Sequence, residues 1–184
     1  MSHQLDLEGV IEKLVLLQHF AYGSETYCRE RLPGSEYDAG DEALDEYWGW
    51  AKSLVSIYIL ECSIRFRVLL DTVAGKPEAG KVKSLDAAAR SGLVIGHVIN
   101  GKFDLTIRET CNKIIHARKV IPLWAIGTEN NVEFKYWSGK FELSGIKGSE
   151  NWQLVLSVAQ RAQSVERFLK DADELTAYVG QDWY

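Results

Sequence analysis

The most constraining feature of this sequence is the stretch from Leu44 to Val73, where apolar side chains return every three or four positions: Leu44, Tyr47, Trp48, Ala51, Leu54, Val55, Tyr58, Cys62, Phe66, Leu69 and Leu70. The spacing predicts one long helix. Because its middle is apolar on most faces, it is expected to be the central helix of a bundle.

The flanking segments extend that expectation. Leu7, Ile11, Leu14, Leu17 and Ala21 predict a first helix over 5–31, stopped by Pro33-Gly34, and residues 34–42 read as a loop whose acids suit the next helix start. Ala74-Gly75-Lys76-Pro77 ends the long helix, and Ser84 reads as the N-cap of a short one through Arg90, with Asp86 in its first turn. Gly92, Gly96 and Gly101 suggest an irregular link before a helix from Phe103 to Ala117, which Pro122 bars from continuing. Over 120–147 the period changes to two: Val132, Phe134 and Tyr136 alternate, Ser138-Gly139 signals a turn, and Phe141 and Leu143 alternate again, with Val120 to Ile126 as a third strand. Ser149 then reads as the N-cap of a last helix over 151–178. The expected fold is mainly α: residues 1–184 as a single helical bundle domain, with a small antiparallel β-hairpin inserted at about 120–147 before the last helix.

Composition narrows the function classes. With 184 residues, 46% hydrophobic and 26% charged, the chain is neither disordered, collagenous nor a coiled-coil rod. No apolar run approaches the length of a bilayer span, and the first residues lack a secretory signal, so a cytoplasmic protein is expected. Cys28, Cys62 and Cys111 read as reduced core thiols, and His3, His19, His97 and His116 have no ligand spacing, so neither a metal nor another cofactor is expected. The net charge is −5, yet the segment 76–119 holds nine bases against four acids. The global acidity argues against a dedicated non-specific nucleic-acid binder but leaves room for a local basic patch.

Phosphate-binding loops, dinucleotide fingerprints, nucleophile elbows and zinc-protease helices are missing. The one polar constellation lies on the helix near 103–117. Phe103, Ile107, Cys111, Ile114 and Ile115 gather on its core side, while Arg108, Asn112 and His116 follow at steps of four and form a polar ridge. Such a ridge suits RNA cleavage without a metal, because RNA supplies its own 2′-hydroxyl nucleophile. Histidine can exchange the protons, arginine can neutralise the phosphorane, and Asn112 can position the phosphate. Lys113, Arg118 and Lys119 are candidates to attract the RNA backbone. A single His serves one face of an in-line displacement, so a two-fold dimer through this helix would supply both.

An Arg and a His two turns apart on a late helix of a small α-bundle resembles the HEPN (higher eukaryote and prokaryote nucleotide-binding) superfamily, here with a longer, divergent Arg-to-His spacing. The resemblance implies a helical, often homodimeric domain acting as a metal-independent endoribonuclease in a toxin or phage-defence system, with Arg108 and His116 as site residues. The alternative is a non-catalytic helical interaction module that binds a protein partner through its acidic front half and aromatic hairpin. Each residue also has a plainer role. His116 can simply cap a helix C-terminus, Arg108 can pair with an acid such as Glu61, and Glu61 can pair with Arg65. Trp124, Phe134, Tyr136, Trp137 and Phe141 can stack bases, or cover the end of the bundle or a dimer interface.

Overall fold

The computed structural model describes residues 5–31, 42–74 and 76–172. The Pro33-Gly34 stop, the 34–41 loop, Gly75, His3 and residues 173–178 of the expected last helix lie outside them. The elements are α1 (Leu7–Arg31), α2 (Glu42–Val73), a 3-10 turn (Pro77–Lys81), α3 (Val82–Ala89), β1 (Gly96–Asn100), α4 (Ile107–Ile115), β2 (Lys119–Glu129), β3 (Val132–Lys147), β4 (Glu150–Ser157) and α5 (Val158–Lys170). The four strands form one antiparallel sheet in the order β1-β4-β3-β2. The architecture is therefore mixed α/β, which corrects the expectation of a mainly α, HEPN-like bundle with a hairpin insertion.

Two strands hid in the sequence for identifiable reasons. In β4, Trp152, Leu154 and Leu156 alternate inward. Leu154 also falls into helical spacing with Val158, Ala162, Val165 and Leu169, and a short apolar run fits either period. The turn decides: Gly148, at φ 62°, reverses the chain so that Lys147 faces Glu150. Ser149 thus sits in a hairpin turn, and α5 starts at Val158 instead of near 151. In β1, Gly96 pairs with Leu156, where an added Cβ would collide with the Val155 carbonyl. The glycine that reads as a break is what lets β1 close against β4.

The β2–β3 reversal is also displaced. It falls at Asn130-Asn131, both with positive φ (52° and 64°), between the paired residues Glu129 and Val132. Asparagine tolerates that left-handed backbone better than most residues. Ser138-Gly139 is a two-residue bulge inside a continuous 16-residue strand, since Leu123 pairs with Lys140 while Trp124 pairs with Trp137. Gly139 takes φ 71° there, and a Cβ would lie 3.2 Å from the Ala21 side chain of α1.

α1 packs against β3, α5 and α2, whereas α2 packs on α1 and α4. The central place expected for α2 therefore belongs to α1, and α2 keeps one side to solvent. The main core joins Val10, Leu14 and Leu17 of α1, Phe66 and Leu69 of α2, Trp137 and Phe141 of β3, Leu154 and Leu156 of β4, and Val165 and Phe168 of α5. Burying each such side chain contributes about 1.5–3 kcal/mol. At the far end of the β2–β3 hairpin a smaller cluster of Cys28, Leu44 and Phe134 forms, packed by Tyr47, Trp124 and Tyr136. The hairpin aromatics thus cover the α1/α2 end, with Trp48 edge-on to Trp124 at 4.8 Å, and offer no open stacking platform. Buried Ser24 ties the layers, accepting from Tyr47 Oη (3.0 Å) and the Trp137 N–H (3.2 Å).

Two charged groups in these layers have distinct partners. Glu61 meets Arg65 at 2.8 Å and Lys13 at 3.3 Å. Arg161 of α5 is fully buried; its Nη2 donates to Ser63 Oγ (2.9 Å) and Cys111 Sγ (3.1 Å), while Nε and Nη1 have no hydrogen-bond partner.

Candidate functional site: a cationic cleft beside helix α4

α4 begins later than the sequence suggests, at Ile107, because its N-terminus is capped twice. Thr106 Oγ1 accepts the Glu109 N–H at 3.0 Å, and the Asp86 carboxylate of α3 accepts the Ile107 N–H at 2.7 Å. Asp86, expected to serve its own helix start, instead fixes α4, and Arg90 balances it at 2.7 Å. A carboxylate at that end also complements the helix dipole. The other end closes at His116, whose N–H bonds back to the Asn112 carbonyl at 3.0 Å. This leaves the exposed imidazole at the helix tip, where it makes no side-chain hydrogen bond among the described residues.

A cleft of about 340 Å³ opens beside that tip, lined by Arg67, Glu109, Asn112, Lys113, His116, Ile146, Lys147 and Trp152. Of the ridge Arg108, Asn112 and His116, only the last two line it. Arg108 turns away into an exposed ion pair with Asp71 at 2.6 Å, not with Glu61. The guanidinium in the cleft is Arg67 from α2. Its Nη1 donates to Asn112 Oδ1, and its Nε lies 3.0 Å from Asp71 Oδ2. Asn112 passes the contact on, donating through Nδ2 to Glu109 Oε2 at 2.9 Å. Arg67 is held by two partners on different helices and still has N–H groups to offer a ligand.

Lys113 corrects another expectation. Only 4% exposed, it is no backbone-attracting surface cation. Its ammonium lies 4.0 Å from the Phe103 ring centroid, 4.4 Å from that of Trp152 and 3.4 Å from Glu109 Oε1. It supplies positive charge to the cleft floor without being free to move. Arg118 and Lys119 are exposed and line a neighbouring cleft with Asn100, Glu142, Ser144, Asn151 and Gln153. The two clefts share Ile146 and Trp152 and so adjoin at the β3–β4 hairpin. Lys147, at the end of β3, and Arg67 are the cationic cleft residues that sequence reasoning missed. Both come from elements far from α4 along the chain, and no local motif marks them.

The remaining histidines stand apart: His97 is exposed on β1, and His19 Nδ1 is 2.9 Å from the Val15 carbonyl on α1. Among the described residues, no group of three or more His, Cys, Asp or Glu side chains could hold a metal ion, and no helix is long and apolar enough to cross a membrane. No protein-family model, curated protein or solved structure matches this chain.

Proposed function

We propose that the α4 cleft seats an RNA phosphodiester and that the protein acts as a metal-independent endoribonuclease, with Arg67 taking the charge-neutralising role the sequence suggested for Arg108. One observation carries the reading: an anchored guanidinium (Arg67) and an exposed imidazole (His116), with no side-chain hydrogen bond among the described residues, line the same hollow. Lys113 and Lys147 add positive charge against the single carboxylate of Glu109 in the cleft wall. In this scheme His116 takes the proton from the 2′-hydroxyl as its oxygen attacks phosphorus and the P–O5′ bond breaks. Arg67 stabilises the charge on the non-bridging oxygens, and Asn112 holds Arg67 in place. Water or a second proton donor protonates the departing 5′-oxygen. Arg118 and Lys119, across Trp152, extend the path for the strand. The proposal stands on the cleft and needs no HEPN membership, whose helical bundle the sheet replaces.

The test is cleavage of a mixed RNA pool in the presence of chelator. His116→Ala and Arg67→Ala should each lower the rate by about 10²-fold or more, the usual range for losing a proton-transfer or oxyanion-stabilising group. Arg108→Ala should stay within about twofold of wild type, since that side chain lies outside the cleft. Cleavage that survives both cleft substitutions overturns the proposal. RNA binding that Arg67→Ala and Lys147→Ala weaken, with no cleavage by wild type, reduces it to a binding site. Neither binding nor cleavage leaves the protein-binding module in its place.

A further inference from the structure

The hollow next to the α4 cleft holds opposite charges that have not found each other. Lys119, Ser144, Gln153 and Asn100 pair in register from β2 through β3 and β4 to β1, so one polar row crosses all four strands. At the usual strand spacing the row is about 14 Å long. Glu142 stands two residues before Ser144 on β3 and therefore on the same face, turned away from buried Phe141 and Leu143. With Arg118 and Asn151, these side chains line a space of about 340 Å³ that meets the α4 cleft at Ile146 and Trp152.

Lys119 and Glu142 are diagonal neighbours on paired strands, a separation that long side chains can bridge. They do not bridge it. Among the described residues, the Glu142 carboxylate, the Arg118 guanidinium and the Lys119 ammonium have neither an ion pair nor a side-chain hydrogen bond. The hollow thus offers a half-buried double acceptor, cationic donors, and the carboxamides of Asn151 and Gln153, which both donate and accept. A second phosphate does not suit it, because Glu142 would repel one. A neutral, planar group with donors and acceptors on separate edges does, and in an RNA strand that group is a base.

The carboxylate selects among the bases. Guanine alone carries two adjacent N–H donors, N1–H and N2–H, which match the two oxygens of a carboxylate. Cytosine and adenine offer one amino group flanked by ring-nitrogen lone pairs, and uracil one N–H between two carbonyl oxygens. Guanine also presents O6 and N7 as the acceptor pair that a guanidinium binds through two donors.

We propose that this hollow is the base subsite of the α4 cleft and that it takes guanine: Glu142 accepts from N1–H and N2–H, and Arg118 donates to O6 and N7. The inference rests on the RNA reading of the α4 cleft, which seats the neighbouring phosphate.

Two sets of probes separate base from phosphate. Guanosine, which has no phosphate, should shift the backbone amide resonances of Glu142, Ser144 and Gln153, while adenosine, cytidine and uridine at the same concentration should not. Short 2′-O-methyl oligouridines, uncleavable because the 2′-oxygen is blocked, are then compared with the same strands carrying one central G, A or C. The guanine strand should bind about tenfold or more tighter, within the discrimination expected of a bidentate base contact. Glu142→Gln, similar in size but with only one acceptor oxygen, should bring the four strands within about twofold, whereas Arg67→Ala should weaken all four alike and keep their order. Equal affinity for the four strands, or preference for another base, overturns the subsite and leaves the phosphate reading standing. A guanine preference that survives Glu142→Gln also overturns it. Guanine preference without RNA cleavage supports the subsite while removing the endoribonuclease, and no binding by any probe overturns both. Should Glu142→Gln fail to fold, the wild-type ranking of the four strands decides alone.

Discussion

Replacing Arg161 by methionine should make the protein more stable. The guanidinium is fully buried with no carboxylate paired to it among the described residues, and two of its nitrogens, Nε and Nη1, lack partners there. Each buried, unsatisfied donor costs about 1–3 kcal/mol, and the buried charge adds a desolvation penalty. Against this stand two bonds from Nη2, to Ser63 Oγ and Cys111 Sγ. Losing the first leaves little unsatisfied, because Ser63 Oγ still donates to the Ile59 carbonyl at 2.6 Å. Losing the second frees a weak thiol acceptor. Methionine keeps an unbranched, adaptable chain in the slot at the cost of a small void. The balance favours Arg161→Met by about 1–3 kcal/mol, the range seen when buried charges give way to apolar side chains. For a chain of this size, a 2 kcal/mol gain raises Tm by about 4–8 °C. Urea unfolding at neutral pH, with the m-value checked for constancy, measures it; Arg161→Ala serves as the control that opens a cavity and should lose stability. A methionine variant less stable than wild type by more than about 2 kcal/mol would refute the reasoning, because removing an uncompensated charge cannot cost that much. It would mean that the bonds from Nη2 to Ser63 and Cys111 outweigh the two unpartnered nitrogens.

Two further outcomes follow from titratable groups. Burial alone would raise the Glu166 carboxyl, but hydrogen bonds from Lys170 (2.6 Å) and Gln18 (2.8 Å) outweigh it and hold the group below the usual 4.5. Its stabilisation is therefore present above pH 4.5 and lost as pH falls through the lowered folded value, so Glu166→Gln should flatten part of the acid-side decline in the urea midpoint; an unchanged decline would count against it. Burial also pushes the Cys28 and Cys62 thiols up to about 11 and raises Cys111, where Arg161 opposes the shift. All three should resist a thiol reagent in the native protein at pH 8 and react together on unfolding, and rapid native labelling of any of them would contradict their burial.

How much of this could be read from the chain depended on the distance over which each decision is made. α1 and α2 were legible because their apolar repeat is long and local; alternation marked 120–143 as strand, but the turn read at Ser138-Gly139 is a bulge inside β3, and the β2–β3 reversal lies at Asn130-Asn131. β1 was not legible: Gly96 signals a break until Val155 is seen to press against it, a contact made across the sheet. β4 and the start of α5 blurred because Leu154 and Val158 satisfy two periods at once. The rank of α2 as central helix failed because periodicity reports which residues are apolar, not whether a neighbour exists for every face. At the site, the helical geometry that placed Asn112 and His116 together was sound. Arg108 does not join them in the cleft: it finds Asp71, while Arg67 reaches Asn112 from 45 residues away.

The Ser138-Gly139 bulge lets a single strand serve two structural neighbourhoods. Residues 140–144 are flanked on both sides by β2 and β4, whereas 132–137 pair with β2 alone and rest on the small Cys28 cluster, and 145–147 pair with β4 alone. A two-stranded ribbon over few buried side chains opens at lower free energy than a sheet interior. Val132 and Lys147 end β3 roughly 45–50 Å apart, so the ribbon and the cleft occupy opposite ends of one long strand. Breathing of the ribbon about this elbow can thus proceed while the amides of the three-stranded middle, 140–144, stay protected, making the bulge a boundary between a yielding end of the strand and its firm centre.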